Sequence, residues 1–136
     1  MKVNKNRHGY YTISCQHRLV LFAGFGSWNE ETYQDLYVDI MKIVDQFGGE
    51  PWGFVGDTRE WEVSTYQSIA LWGEMQAHLV DRGLVCGAVV VDDSTFKTKV
   101  AEKNVEGELE TKNFSVHEEA ISWCQQVVKR CSTSST

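Results

Sequence analysis

Apolar and polar residues change period several times along the chain, and each change predicts an element boundary. Two strand-like runs, Tyr10 to Cys15 and Arg18 to Phe25, are separated only by Gln16 and His17, which predicts an antiparallel hairpin. The period then lengthens: Tyr33, Leu36, Tyr37, Ile40, Val44 and Phe47 recur at helical steps and form one apolar stripe. Either Ser27, spaced from Glu30 as in a capping box, or Asn29 caps that helix. Gly48 and Gly49 stop it, and Pro51 keeps it from resuming.

The apolar run Trp52 to Val55, ending at Asp57, reads as a buried strand. After a connecting segment, Thr58 to Val63, a second helix is expected from about Ser64 to Arg82, with Ile69, Trp72, Met75 and Leu79 on its inner face and Gly83 as its stop. Leu84 to Val91 is almost wholly apolar, as a central strand covered on both faces would be, and Asp92 and Asp93 close it. Ser94 is positioned to cap a short helix reaching Lys103, and Leu109 to Phe114 is an expected edge strand. Ser115 and Glu118 repeat the capping spacing before a last helix carrying Ala120, Trp123, Cys124, Val127 and Val128.

Alternating strands and helices after a hairpin predict an α/β fold with right-handed crossovers. The expected sheet is mixed, mostly parallel and five-stranded, with about four helices, in a single domain over residues 1–136 whose ends, 1–8 and 132–136, are flexible. A chain of 136 residues buries roughly two-thirds of its unfolded surface and needs neither disulfide nor metal to hold it together.

Charge narrows the partners. A net charge of −6 argues against nucleic acid, which is bound mainly through its phosphates. Lys2, Lys5 and Arg7 make a polar tip without the apolar stretch of a signal peptide, and no run has membrane-spanning length. Cys15, Cys86, Cys124 and Cys131 form no C-x-x-C pair and read as reduced thiols, with Cys15, Cys86 and Cys124 expected in the core. The expected location is the cytoplasm.

Ligands of open α/β sheets collect beyond the carboxyl ends of strands, which singles out Asp57, Thr58, Arg59 and Asp92. Two such aspartates facing one crevice could hold magnesium or share a proton; otherwise they serve as loop and helix caps. The fragment G-F-G-S-W-N lacks the third glycine of a dinucleotide loop, so no phosphate cradle is present. Glu74 and His78 share a helix face but make no metal site alone, and no nucleophile is paired with a base in any known order. The chain therefore reads as a non-enzyme without metal or cofactor. Ser64 and Thr65 combine an N-cap position with candidate phosphorylation, and Trp61 is either an exposed anchor for a partner or folded back over the sheet.

The order of elements over Tyr10 to Val128, with G-x-W-N-E-E before the first helix, F-V-G-D-T-R-E-W before the second and the strand V-C-G-A-V-V-V-D-D, resembles the SpoIIAA-like group, related to STAS domains acting as anti-sigma-factor antagonists. The resemblance implies a noncatalytic regulatory or protein-interaction domain whose partner is another protein or a second copy of the chain. In phosphorylatable relatives a strand ending in aspartate leads to D-S-S-G, whose serine is modified; Asp57 matches the aspartate, but D-S-S-G is absent and the serine position falls on Tyr66. The topology is also likened to lipid-binding Sec14-type domains, implying as an alternative a cleft for a small nonpolar molecule lined by Trp61, Trp72 and Met75.

Overall fold

In a computed structural model that describes residues 2–6, 9–62, 66–92 and 109–134, the chain forms a sheet flanked by helices on both faces. Strand β1, Lys2–Asn6, pairs antiparallel with β2, Gly9–Gln16, and β2 pairs antiparallel with β3, Leu19–Ser27. The second pairing is the predicted hairpin, turning at His17, whose φ of 56° lies in the left-handed region. β1 is a strand that the sequence pattern did not place. Its Lys-Val-Asn-Lys-Asn sequence has no apolar alternation, and what recruits it is the open edge of β2, which offers backbone groups to any extended segment.

The remaining strands, β4 (Trp52–Glu62), β5 (Leu84–Val90) and β6 (Glu110–Phe114), add in parallel, so spatial order follows chain order from β1 to β6. Crossovers that all step one strand in the same direction place their helices on the same face when their hand is the same. Accordingly α1 (Glu30–Val44) and α2 (Tyr66–Val80) share one core layer, and α3 (His117–Ser134) covers the opposite face. α3 also carries helix into the segment expected to be a flexible tail. The mixed, mostly parallel α/β class is as expected, with β1 as a sixth strand. The described residues include three α-helices and a 3-10 turn at Asp45–Phe47, and the predicted helix at 94–103 lies outside them. None of the described helices is long and apolar enough to cross a membrane.

Of the two candidate caps for α1, Asn29 is the one used: its Oδ1 accepts from the Thr32 backbone N–H at 3.0 Å and from the Thr32 hydroxyl at 3.0 Å. Leu36, Ile40 and Val44 then face the core as the stripe predicts. The same face buries Asp39, whose carboxylate accepts a 2.5 Å hydrogen bond from the Tyr11 hydroxyl of β2.

Under α1 and α2 the sheet is built from rings laid over glycines. Phe22 of β3 is paired with Gly56 of β4, and Phe54 of β4 with Gly87 of β5, so each ring occupies the space a neighbouring side chain would fill. Trp72 of α2 meets both rings edge-on, at 5.9 Å from Phe22 and 6.0 Å from Phe54 between centroids. These contacts seat α2 on the sheet and so place the start of α2 beside the end of β4.

Candidate functional site

The carboxyl ends of the parallel strands bring the sequence-predicted residues into one region, but in a different form from the loop expected. β4 does not end at Asp57; it runs on to Glu62. Beyond the Asp57↔Val90 pair it has lost β5 as a neighbour and continues beside β3 alone, so one edge is open and tolerates Arg59, Glu60 and Glu62. The pairing jumps from Ala23↔Asp57 to Phe25↔Glu60, leaving two β4 residues, Thr58 and Arg59, opposite Gly24. That is a β-bulge, and it moves the residues after it to the other face of the sheet.

Trp61 shows the consequence. Rather than an exposed loop anchor it is a strand residue, 8% exposed, in the same core cluster as Trp28, Tyr33 and Trp72. Its Nε1 is shielded and has no hydrogen-bond partner among the described residues. Trp72 and Met75 are buried as well, so the three residues proposed to line a nonpolar cleft are packed core.

Asp57 lies on the α3 side of the sheet with its side chain 17% exposed. Both its oxygens are engaged by Arg59: Nε donates to Oδ1 at 2.9 Å, Nη2 to Oδ2 at 2.7 Å, and the Arg59 backbone N–H to Oδ1 at 3.1 Å. Burial alone would raise the Asp57 pKa, but the hydrogen bonds and charge of Arg59, with the charge of His117 at the start of α3, outweigh it and hold the carboxyl below its ordinary range. Arg59 keeps 44% of its side chain exposed and is aimed by this fork.

Two hydroxyls fasten the surrounding strand ends. Thr58 Oγ1 donates to the Val90 carbonyl at 2.8 Å, where β5 ends, and Ser27 Oγ donates to Glu62 Oε2 at 3.0 Å across β3 and β4. Ser27 figured in the sequence only as a candidate cap for α1, and its pairing with Glu62 has no local signal, because nothing in either segment shows that a bulged parallel pairing brings them together. Asp92 is exposed just past β5, and the Val91 N–H donates to the Phe114 carbonyl at 2.8 Å. With both Asp57 oxygens turned to Arg59, the two aspartates do not form an open carboxylate pair, and among the described residues no three His, Cys, Asp or Glu side chains cluster as a cation would require. Ser64, Thr65 and Asp93 lie outside the described residues.

The remaining candidates separate from this region. Gly24 gives room to Trp28, whose ring would lie 2.7 Å from a Cβ there, so the glycine fragment serves packing. Glu74 and His78 are both exposed on α2. Cys86 and Cys124 are buried as expected, with the Cys86 thiol pKa pushed far up by the neighbouring Cys124 thiol and by burial. Cys15 is exposed instead, since its position beside the hairpin turn lies beyond the helices that cover the sheet.

No family model matches the chain, and comparison with curated proteins finds no match. Among solved structures, the fold is similar to that of an uncharacterized protein of the DUF3478 family with a SpoIIAA-like fold from Shewanella loihica PV-4. The TM-score is 0.63 at 17% identity, over 89% of this chain and 98% of that one. It is also similar to the Bacillus cell fate determinant SpoIIAA in its phosphorylated form, with TM-score 0.54 at 14% identity over 83% of this chain and 97% of that one. At such identities the likeness speaks for architecture, and the chain has a SpoIIAA-like fold.

Proposed function

We propose that the chain is a noncatalytic regulatory domain that binds a protein partner through the strand-end surface formed by Asp57, Thr58, Arg59, Glu60 and Glu62, with Ser27 and Asp92 at its margin. The observation that carries this reading is the Asp57–Arg59 fork, which presents a half-exposed, pre-aimed guanidinium flanked by exposed Glu60 and Glu62. A side chain already ordered before association loses less entropy when a partner engages it. The fold likeness to a cell fate determinant supports a regulatory role.

SpoIIAA is known in a phosphorylated form. In this chain the corresponding position is Tyr66, so a modification here would use the neighbouring hydroxyls of Ser64 or Thr65, adding negative charge close after Glu62 in sequence and altering what the surface attracts.

The test is quantitative affinity capture from cell extract with wild type, Arg59→Glu with Glu60→Lys, and Lys112→Glu as a charge-changing control on β6. Partners of the proposed surface are lost in the double variant and kept in the control, with both variants folded by circular dichroism. Identical partner sets for all three proteins would sink the assignment.

A further inference from the structure

The opposite end of the sheet holds a groove of about 660 Å³ between the β2–β3 turn and the C-terminal half of α3. We propose that it is a binding site for a small organic anion, with a carboxylate or phosphate head and a short apolar body. It is independent of the strand-end surface: it opens beside Leu19 at the start of β3, about 20 Å along that strand from Phe25 and the bulge.

Its chemistry is one-sided. In a chain with 19 acidic residues and a net charge of −6, no carboxylate side chain among the described residues lines the groove. The polar lining consists of His17, Arg18, Gln125, Lys129 and Ser132, so cationic and neutral donors converge on one volume. Leu19 and Val128 supply an apolar wall. A concavity of this size with a few convergent polar groups on an apolar wall is the usual form of a small-molecule site.

Two donors are available to a head group. Lys129 is exposed and has no ion-pair partner among the described residues. Arg18 is held by Glu50 at 2.8 Å and donates to Ser132 Oγ at 2.6 Å, while its Nε is shielded and without a partner among the described residues. Glu50 is 64% exposed, and an ion pair so open to water holds its members weakly. Moving the exposed Nη1 end of the guanidinium from Glu50 to a bound anion therefore costs little. His17, exposed in the β2–β3 turn, lines the rim as a further donor.

The experiment titrates hexanoate, hexyl phosphate and uncharged hexanol into isotope-labelled protein and follows backbone amide resonances. Saturable shifts at His17, Leu19, Gln125 and Lys129 are expected with at least one of the two anions, whichever binds more tightly identifying the head group, and hexanol should bind at least about tenfold more weakly. Lys129→Glu should weaken the preferred anion by about tenfold or more, whereas Lys112→Glu, the same change of charge on β6, should leave its affinity within about twofold. The proposal fails if neither anion produces saturable shifts at these residues, if hexanol binds as well as the anions, or if the two variants weaken binding equally. Both variants are checked for native amide dispersion, and Lys129→Gln replaces Lys129→Glu if the latter is unfolded.

Discussion

Replacing Gly87 by alanine should destabilise the protein although it adds only one methyl group. A Cβ at position 87 would lie 2.6 Å from Cε2 of Phe54, where carbon atoms prefer about 3.5–4.0 Å, so something must move by about 1 Å. The ring cannot swing into water. Phe54 is 2% exposed, and its centroid is 5.7 Å from Phe22 and 6.0 Å from Trp72, so any displacement is transmitted to β3 or to α2. Overpacking of this kind costs about 1–3 kcal/mol, against which the lower entropy of an unfolded alanine returns about 0.4–1 kcal/mol. The net expectation is a loss of about 1–2 kcal/mol, read as a lower urea midpoint with an unchanged slope. Phe54→Leu removes the obstructing edge of the ring, so the double variant should lose clearly less than the sum of the two single losses. A midpoint for Gly87→Ala at or above wild type, or strict additivity in the double variant, would refute the claim that this ring and this glycine are fitted to each other.

The other predictions concern titratable pairs. Because the folded Asp57 carboxyl is held below its ordinary pKa, its stabilising contribution is complete above about pH 4 and is lost as pH falls through the folded value. Asp57→Asn should flatten the acid limb of a stability-against-pH curve by no more than about 1 kcal/mol, since Arg59 is 44% exposed, and an unaltered limb would remove the argument. Burial, then the hydrogen bond to Asp39, raises the Tyr11 pKa, so its phenol should stay protonated where exposed tyrosines ionise. Tyr11→Phe keeps the ring but takes a donor from a buried carboxylate, and denaturant unfolding should show a loss of about 1–3 kcal/mol; a loss below about 0.5 kcal/mol would mean that Asp39 does not depend on this bond.

Sequence periodicity located the elements whose residues pack by repeating contact. The α1 stripe, the hairpin and the apolar run of β5 each bury the face their spacing predicts, because tertiary packing there follows the local period. It missed what depends on a distant backbone. β1 is an edge strand made by hydrogen bonds to β2, and its polar sequence has no need of a buried face. Asp39 is a buried carboxylate beside the apolar stripe of α1, and only the juxtaposition with Tyr11 explains it. Asp57, Thr58 and Arg59 were found by the general placement of ligand sites at strand ends, yet their bonding to one another and to Val90 required the register. The groove lined by Arg18 and Lys129 was not anticipated, since those residues are far apart in sequence and neither belongs to a recognisable motif.

The β4 bulge decides what kind of surface the strand end presents. By strict alternation from Asp57 on the α3 face, residues 59 and 61 would share that face, and Trp61 would stand beside Arg59 as the sequence suggested. With Thr58 and Arg59 both opposite Gly24, the phase shifts by one: Glu60 pairs with Phe25 on the α3 face, and Trp61 pairs with Gly26 on the face of α1 and α2. The inserted residue thus withdraws Trp61 into the core and leaves Arg59, Glu60 and Glu62 outside. If this surface is the partner site proposed above, Trp61 is not its anchor, and recognition would rest mainly on charge arrangement. Such recognition acts mainly on specificity and encounter rate, and it weakens as salt is added, which suits a regulatory contact that must form and dissolve.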